Sequence, residues 1–388
     1  DDSALMRNLI GRIIDETTGL SVCGKTENGK DLLEKLESTK PDVILLDIEM
    51  PVMNGVQFLE ERKKRLSNIP VIILSSVATE GAAVTMKCLE LGASDFITKP
   101  GGASVTLRIG DVTKDIIEYV ASYGGAYANA HGKKVPEPEF FSHQIKLKEA
   151  ERFIIKKKGE DVAKTASITK QDSVPQAWFQ SKVKEPIVIT PERPGGKIEI
   201  IGIGISTGGP NALRDVFKAI DPNLKQPILV VQHMPAGFTA EFAQSLNSIC
   251  PLEVSEAKDG EPVLGGHVYI APGSYHMFVE RKAIGNFIKL SQDNPRNGHR
   301  PSCDVESIAE IFQNRALGVI MTGMGRDGAA ELAEMRKKGA WTLGQDKDTS
   351  IVYGMPKVAF ELGGVERQVP LSQMADEISK LAREHLYS

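Results

Sequence analysis

Residues 200–209 read Ile-Ile-Gly-Ile-Gly-Ile-Ser-Thr-Gly-Gly, an apolar run that ends at a serine flanked by glycines. A continuous apolar run predicts a buried strand of a parallel sheet, and the pattern over 210–219 predicts a helix after it. Glycines relieve crowding at a sharp strand-to-helix turn. We therefore expect the Ser206 hydroxyl to project above the carboxyl edge of the sheet. There the backbone N–H groups at the start of the helix face a developing oxyanion.

The turn around Ser206 has two interpretations. Gly204–Gly208 fits the pattern G-x-S-x-G of a nucleophilic serine, but a glycine-rich phosphate-binding turn would look similar. The segment has no G-x-G-x-x-G register and lacks the lysine of a phosphate-binding P-loop. These differences favour a nucleophile over a phosphate cradle.

Two polar residues at other strand ends are candidates to activate this serine. His233 follows the predicted strand 227–232, and Asp327 lies in a glycine-rich turn after the predicted strand 316–322. Because parallel strands end at one sheet edge, we expect the three side chains to meet. His233 would take the serine proton and Asp327 would hold the imidazole tautomer. The alternatives are a structural histidine and an aspartate that caps the next helix.

The order of the three residues along the chain is Ser, His, Asp. An α/β-hydrolase runs Ser, Asp or Glu, then His. The order therefore argues against a lipase or esterase of that fold.

The first hundred residues also alternate helical and strand patterns. Ser3 is predicted to cap a helix that runs to about Thr18, and 21–26 is a short strand candidate. Three further strand patterns, 43–46, 71–74 and 95–98, end directly before polar residues. This alternation predicts a second doubly wound parallel sheet, with function at its carboxyl edge.

Three carboxylates are expected to converge at that edge. Asp1 and Asp2 precede the first helix, and Asp47 ends an apolar strand. Repulsion among unpaired carboxylates favours a hard divalent cation with oxygen ligands, typically Mg²⁺. A carboxylate beside such a cation can attack a phosphoryl group, whose oxygens Ser75 and Lys99 would contact. The alternative is that each aspartate is a helix cap or a strand-end turn residue.

Residues 124–196 separate the two alternating regions and are predicted to form a flexible linker. Within 131–196 there are 13 Lys/Arg, 9 Asp/Glu and prolines at positions 136, 138, 175, 186, 191 and 194. Such a composition does not sustain a core. The chain is thus expected to hold two domains joined by this linker.

Composition excludes several functional classes. The net charge is −4, and residues 197–388 hold 20 basic and 23 acidic side chains, so no nucleic-acid partner is expected. No run of about 18 apolar residues occurs, so the chain is not expected to be inserted in a membrane. The four cysteines lie far apart without a CxxC pair, which argues against a zinc site or a disulfide framework and suits a reducing cytoplasm.

Residues 1–120 resemble a response-regulator receiver domain. The resemblance rests on the acidic pair at the start, two strand-end motifs and one nine-residue run, in the family's order and spacing: Asp1-Asp2, Asp47-Ile-Glu-Met-Pro-Val-Met-Asn-Gly55, Ser75-Ser76 and Lys99-Pro100. It implies Asp47 as the phosphoacceptor. Asp1, Asp2, Asp47 and the backbone carbonyl of Glu49 would be the Mg²⁺ ligands.

The same resemblance implies roles for the neighbouring strand ends. Ser75 would be the phosphoryl-sensing hydroxyl, Lys99 its charged partner, and Phe96 the aromatic switch. The Lys99–Pro100 bond is expected to be cis.

The sequence departs from the receiver pattern at one point. Receiver domains place a central apolar strand before the acidic pair, whereas here the acidic pair comes first. A missing central strand would leave two neighbours unpaired and expose a large apolar area. We therefore expect this strand to precede residue 1 in the full-length protein.

Residues 197–388 resemble the chemotaxis protein-glutamate methylesterases. Six motifs in the family's order carry the resemblance: Ser206–Gly209, Gln232–Pro235, Tyr269–Met277, His299–Asp304, Thr322–Gly328 and Gln345-Asp346 with Tyr353–Pro356. A receiver followed by this domain is the order of CheB-type response regulators. The expected fold class is α/β, with a doubly wound receiver over 1–123 and a doubly wound, mostly parallel-sheet methylesterase domain over 197–388.

The resemblance implies an acyl-transfer chemistry. Such enzymes hydrolyse γ-glutamyl methyl esters on methyl-accepting chemotaxis receptors, and often deamidate receptor glutamines. Ser206 would attack, His233 would relay the proton and Asp327 would orient His233. The backbone N–H groups of Thr207 and Met324 would bind the oxyanion, and the esterase chemistry needs no cofactor.

Two further side chains, Arg300 and His276, are candidates to shape the substrate groove. Structural roles are the alternative for both.

Control and location follow from the same resemblance. A chemotaxis histidine kinase would be the phosphodonor, and the unphosphorylated receiver would cover the catalytic groove. The expected location is the cytoplasm, with recruitment to receptor arrays at the inner face of the membrane. Two other functions stay open: a non-catalytic response regulator that binds a partner, and a general serine amidase or peptidase under receiver control.

Overall fold

The computed structural model describes residues 1–65, 67–76, 79–99, 105–136, 141, 185–303 and 306–386. The chain divides into two compact units, 1–182 and 183–388. Three parts of the sequence predictions lie outside the described residues: most of the predicted linker, Pro100 of the expected cis bond, and Asp304 of the motif His299–Asp304. Within the described ranges, no helix is both long and apolar enough to cross a bilayer.

The first unit contains a parallel sheet of three strands in the order β1-β2-β3. The strands are β1 Ile44–Asp47, β2 Val71–Ser75 and β3 Asp95–Thr98. Five helices connect or flank them: α1 Ala4–Asp15, α2 Gly29–Thr39, α3 Gly55–Lys64, α4 Thr79–Glu90 and α5 Val105–Tyr119. The register pairs Asp47 with Leu74 and Ser75 with Thr98, so the strands end together at one edge. The prediction of a parallel sheet with polar residues at its carboxyl edge is confirmed.

Helix α1 starts where the sequence predicts. Ser3 adopts an extended conformation at the N-cap, and its Oγ accepts a hydrogen bond from the Met6 N–H at 3.4 Å. The side chain thereby satisfies one of the N–H groups that a helix start leaves without an intrahelical partner.

The predicted strand over 21–26 is wrong. The segment is extended but forms no ladder with any described strand. A ladder needs a neighbouring strand about 4.8 Å away, whereas a cavity of about 170 Å³ separates this segment from β1. Its lining includes 21–26, 43–46 and the apolar face of α1.

The segment after α5 is packed rather than loose. A π-helical turn, Val120–Gly124, continues into α6, Gly125–Ala130. Phe141 is buried against Ile117 and Ala121, and the Lys133 ammonium lies 2.6 Å from the Asp42 carboxylate. These contacts belong to the first unit, although the predicted linker starts at 124.

The second unit is built on a parallel sheet of seven strands in the order β12-β11-β10-β4-β5-β7-β6. The strands are β4 Ile200–Ile205, β5 Ile228–Gln232, β6 Glu253–Glu256, β7 His267–Ile270, β10 Ala316–Ile320, β11 Trp341–Gln345 and β12 Arg367–Val369. An antiparallel hairpin is formed by β8 His276–Lys282 and β9 Gly285–Ser291. The helices are α7 Gly209–Ala219, α8 Phe238–Asn247, α9 Glu306–Phe312, α10 Ala329–Lys337, α11 Met355–Glu361 and α12 Leu371–Glu384.

Strand β4 lies at the centre of this sheet, between β10 and β5. The register pairs Gly204 with both Ile320 and Val231. The three strands that carry the predicted catalytic residues therefore end side by side.

The end of the predicted linker packs against the second unit. The N–H groups of Ile187, Glu192 and Gly196 donate to the backbone carbonyls of Glu361, Lys337 and Asn314, at 2.8–3.1 Å. The Trp341 indole N–H donates to the Gly196 carbonyl at 3.0 Å. Residues 187–196 thus form part of the folded second unit.

Candidate active site

Ser206 lies at the turn between β4 and α7. Gly208 adopts φ +84°, a left-handed conformation that favours glycine, and α7 starts at the next residue. The Ser206 N–H donates to the Thr322 carbonyl at 3.0 Å, and the Gln232 amide donates to the Ser206 carbonyl at 3.1 Å. The backbone of the serine is therefore fixed from both neighbouring strands.

The structure brings Ser206, His233 and Asp327 together as predicted. His233 Nδ1 lies 3.0 Å from Ser206 Oγ, and His233 Nε2 lies 2.8 Å from Asp327 Oδ2. Because a carboxylate only accepts hydrogen bonds, Nε2 carries the proton and the Nδ1 lone pair faces Ser206. This geometry suits proton transfer from the serine to Nδ1.

Asp327 is held by four donors. Besides His233 Nε2–H, its Oδ2 accepts from the Cys303 N–H at 2.6 Å. Its Oδ1 accepts from Ser302 Oγ at 2.6 Å and from Asn297 Nδ2 at 2.8 Å. The carboxylate is 1% exposed, so its orientation is set by these bonds rather than by solvent.

These donors also set the ionisation of Asp327. Burial by itself would raise the pKa of this carboxyl, but the hydrogen bonds and charge of His233, with those of Ser302 and Asn297, hold the pKa well below its ordinary value. Asp327 is therefore a carboxylate at neutral pH and can stabilise an imidazolium on His233.

The predicted oxyanion donors lie on the two loops next to Ser206. Thr207 is buried directly after the serine, and Thr322 Oγ1 donates to its carbonyl at 2.9 Å. The loop that carries Met324 approaches the serine closely, because a Cβ added at Gly323 would lie 2.8 Å from the Ser206 Cβ. The use of the Thr207 and Met324 N–H groups as oxyanion donors stays a prediction.

Arg300 and His276 both bind backbone carbonyls of the loop after β9. Arg300 Nη1 donates to the Gln292 and Asp293 carbonyls, and His276 Nε2 lies 3.2 Å from the Asn294 carbonyl. These bonds are compatible with the structural alternative, and a role of either side chain in shaping the substrate groove stays a prediction.

A second polar cluster lies at the carboxyl edge of the three-stranded sheet. Lys99 Nζ lies 2.5 Å from Asp47 Oδ2 and 3.3 Å from Asp1 Oδ2. Carboxylate oxygens of Asp1, Asp2 and Asp47 lie within 4.8 Å of one another. Gly55 permits this packing, since a Cβ there would lie 2.5 Å from the Asp47 carbonyl.

The carboxylates of this cluster fit a hard cation. The side chains of Asp1 and Asp47 are 4% and 3% exposed. Apart from the Lys99 ammonium, their Oδ2 atoms have no hydrogen-bond donor among the described residues. Buried carboxylate oxygens without donors are the ligands that Mg²⁺ prefers. Asp1, Asp2 and Asp47 would hold the ion, whose charge would offset that of an incoming phosphoryl group.

The other predicted receiver residues surround this cluster. Ser75 is buried and its hydroxyl lies 2.6 Å from Thr85 Oγ1, while Phe96 is 6% exposed. The Glu49 side chain is exposed, and the ligand role of its backbone carbonyl stays a prediction. The phosphoryl-sensing and switch roles stay predictions.

Comparisons with known protein families agree with the predicted identity of both units. The family model of the CheB methylesterase matches residues 201–378, and that of the response regulator receiver domain matches residues 1–108. A protein-glutamate methylesterase/protein-glutamine glutaminase of Treponema pallidum is 47% identical over 99% of this chain and 96% of its own length. That of Treponema denticola is 48% identical over 99% and 97%. The chain belongs to this family.

Among solved structures, the CheB methylesterase catalytic domain of Thermotoga maritima aligns with a TM-score of 0.46. It is 38% identical and covers 48% of this chain and 99% of that chain.

In this methylesterase family member, sequence reasoning missed four residues around the triad. Asn297, Ser302 and Cys303 bind Asp327, and the His299 ring stacks on His233 with centroids 3.8 Å apart. All four lie between β9 and α9, where the chain has no helical or strand period. The motif His299–Asp304 was the available signal, because it places two of the donors next to each other.

Proposed function

We propose that this chain is a phosphorylation-controlled protein-glutamate methylesterase. It hydrolyses glutamate methyl esters of methyl-accepting chemotaxis receptors and deamidates receptor glutamines to glutamates. The observation that carries this proposal is the hydrogen-bonded relay from Ser206 Oγ through both ring nitrogens of His233 to Asp327.

Acylation begins with proton transfer from Ser206 to His233. Ser206 Oγ attacks the side-chain carbonyl carbon while its proton passes to His233 Nδ1. The resulting imidazolium is stabilised by Asp327, whose charge is maintained by its low pKa. The backbone N–H groups of Thr207 and Met324 would bind the oxyanion. His233 then gives the proton to methoxide oxygen, and methanol leaves; from a glutamine, ammonia leaves.

In deacylation, water is the nucleophile and Ser206 is the leaving group. Water gives a proton to His233 Nδ1 as it attacks the acyl-enzyme, and the proton returns to Ser206 Oγ when the bond breaks. The product is a glutamate carboxyl group, which loses its proton to solvent and becomes a carboxylate. A buried, four-fold bonded Asp327 keeps the imidazole in one tautomer through both steps.

The receiver unit supplies control. Asp47 would take a phosphoryl group from a chemotaxis histidine kinase. Asp1, Asp2, Asp47 and the Glu49 carbonyl would hold Mg²⁺, whose charge would offset that of the phosphoryl group. The new charge and acceptor oxygens draw Lys99 and Ser75 to the phosphoryl group and repack the region around Phe96. Without the phosphoryl group, hydrolysis by the catalytic unit stays low. The enzyme acts in the cytoplasm at receptor arrays.

The decisive experiment measures methanol release from membranes that carry methylated receptors, with and without a small phosphodonor and Mg²⁺. We expect low basal release, a rise with phosphodonor, and a constitutively active 183–388 fragment. Release from free esters and peptides at rates equal to those from receptors would favour a general serine amidase or peptidase. No release, and no labelling of Ser206 by a serine-directed acylating probe, would favour a non-catalytic regulator. A fragment no more active than the unphosphorylated chain would exclude autoinhibition.

A further inference from the structure

Cys303 reaches the catalytic histidine on the side of Asp327. Its Sγ lies 3.7 Å from His233 Nε2, which is the nitrogen that binds Asp327 Oδ2 at 2.8 Å. The imidazole nitrogen, the sulfur and a carboxylate oxygen all lie within 4.8 Å of one another. An imidazole, a thiol and a carboxylate are the ligands that tetrahedral Zn²⁺ takes in proteins.

The sulfur is held in place by its surroundings. A Cβ added at Gly204 or at Gly328 would lie 2.9 Å or 2.7 Å from the Cys303 Cβ. The Cys303 N–H donates to Asp327 Oδ2 at 2.6 Å, and Cys303 is 8% exposed. Two glycines therefore make room for this side chain, and its backbone is anchored to the residue that would be the second ligand. The position of the sulfur is therefore fixed before a metal binds.

We propose that His233, Cys303 and Asp327 form an inhibitory site for a thiophilic divalent cation, Zn²⁺ or Cd²⁺. The inhibition rests on the proposed catalytic role of His233. The cation bonds His233 Nε2, Cys303 Sγ and an Asp327 oxygen, and the thiol proton leaves to solvent. The imidazole proton moves from Nε2 to Nδ1. The thiolate and the carboxylate balance the two charges of the cation, so the loaded site is neutral overall.

The bound cation stops catalysis because it fixes His233 in the tautomer that carries its proton on Nδ1. Once Nε2 is bound to metal, Nδ1 carries the proton and points it at Ser206 Oγ, 3.0 Å away. A protonated Nδ1 cannot accept the serine proton. The metal also separates His233 from Asp327, because two metal–ligand bonds of about 2.0–2.2 Å replace one hydrogen bond.

The two ligand clusters found among the described residues therefore select different cations. The cluster of Asp1, Asp2 and Asp47 offers only oxygen, which Mg²⁺ prefers. The cluster of His233, Cys303 and Asp327 offers sulfur and nitrogen as well, which favour Zn²⁺ and Cd²⁺ over Mg²⁺. Saturating Mg²⁺ thus leaves the catalytic cluster open.

The test is a titration of the chelator-treated full chain with Cd²⁺ in saturating Mg²⁺. Two signals are followed: the ultraviolet thiolate-to-cadmium charge-transfer band and the ester hydrolysis that remains. We expect the band to saturate at one equivalent, with activity falling in parallel and returning on addition of chelator. Zn²⁺ should displace Cd²⁺ from the site and so remove the band, whereas further Mg²⁺ should leave the band unchanged.

Variants assign the signals to this cluster. Cys303→Ser removes the thiolate and nearly keeps the volume, so the band should vanish and the inhibitory affinity, measured against the variant's own activity, should fall at least roughly 10- to 100-fold. The matched controls are Cys23→Ser and Cys250→Ser, one exposed and one half-buried, which should keep both the band and the inhibition. An unchanged band or undiminished inhibition in Cys303→Ser overturns the proposal, as does a Cys303-dependent band without inhibition in an active enzyme. The charge-transfer band does not depend on turnover. It therefore tests the metal site even if Ser206→Ala stays active and the proposed catalytic role of Ser206 is wrong.

Discussion

The imidazole of His299 stacks face to face on the imidazole of His233, with centroids 3.8 Å apart and planes 9° from parallel. The stacked ring covers the face of the catalytic base while the ring edges bind Ser206 and Asp327. When His233 takes the serine proton, the imidazolium lies against the face of the His299 ring in a cation–π geometry.

We expect His299→Ala to lower the rate of ester hydrolysis while Ser206 remains reactive. Loss of a half-buried cation–π contact of about 0.5–2 kcal/mol corresponds to roughly 2- to 30-fold in kcat. His299→Phe keeps an aromatic face and should retain most of the activity. The measurement is kcat and KM on methylated receptor membranes. If His299→Ala and His299→Phe were equally slow, ring stacking would not be the cause of the lower rate.

Ser206→Ala should abolish methanol release without affecting phosphorylation of the receiver. Triad residues act as a unit, so the loss is expected to be roughly 10³- to 10⁶-fold, and His233→Ala should add little to it. Ser255→Ala is the matched control, because Ser255 Oγ lies 2.8 Å from His267 Nε2 in a second serine–histidine pair. Additive losses in the double variant, or an inactive Ser255→Ala, would contradict the assignment.

The acid stability of the second unit should depend on Asp327. Its pKa is lower in the folded chain than the about 3.9 of an unfolded one. The carboxylate therefore adds stability that is complete above the unfolded pKa and is lost as pH falls toward the folded pKa. Below about pH 4, the unfolding free energy of wild type should fall more steeply than that of Asp327→Asn, by at most about 1.4 kcal/mol per pH unit. Guanidinium titrations of 183–388 at several pH values, followed by the fluorescence of Trp341, measure this difference; parallel slopes would contradict it.

Activation by a phosphodonor should require Asp47 and a divalent cation. Adding a small phosphodonor with Mg²⁺ should raise methanol release by roughly 10- to 100-fold, as for a coupling energy of a few kcal/mol. Asp47→Asn or a chelator should remove the rise and leave basal release. Asp42→Asn changes a carboxylate that pairs with Lys133 instead, and it should still be activated. A rise that survives in Asp47→Asn would place the phosphoryl group elsewhere.

A fragment that begins at residue 183 should be more stable than one that begins at residue 197. The shorter fragment loses the backbone hydrogen bonds of Ile187, Glu192 and Gly196, and the Gly196 carbonyl that accepts from Trp341. At roughly 1 kcal/mol for each net bond, we expect a loss of about 2–4 kcal/mol and a Tm lower by several degrees. Thermal unfolding of both fragments tests this, and equal midpoints would show that 187–196 adds nothing.

The strand ends could be predicted from the sequence because hydrophobic period and sheet topology decide them. Apolar runs before Ser206, His233 and Asp327 imply parallel strands, and parallel strands bring their carboxyl ends together. The same logic predicted the cluster of Asp47 and Lys99, which the structure confirms at 2.5 Å.

The surroundings of Asp327 could not be predicted in this way. Ser302 and Cys303 reach it from a segment without regular period, and only the tertiary path of that segment makes them donors. For the same reason, the wide spacing of the cysteines argued against a zinc site, although the fold brings Cys303 to His233. The strand expected over 21–26 failed because its pattern fits a strand but no described partner lies beside it.

The position of β4 between β5 and β10 has a consequence for synthesis of the protein on the ribosome. Ser206 and His233 are 27 residues apart and can meet once β4 and β5 pair, but Asp327 follows His233 by 94 residues. Strand β10, which completes the centre of the sheet, is among the later strands to leave the exit tunnel. A nascent or truncated chain that ends before residue 327 thus carries a serine and a histidine without the aspartate that fixes the tautomer. Hydrolytic competence arises only after the receiver has been made, so an active catalytic site always emerges with its regulator already attached.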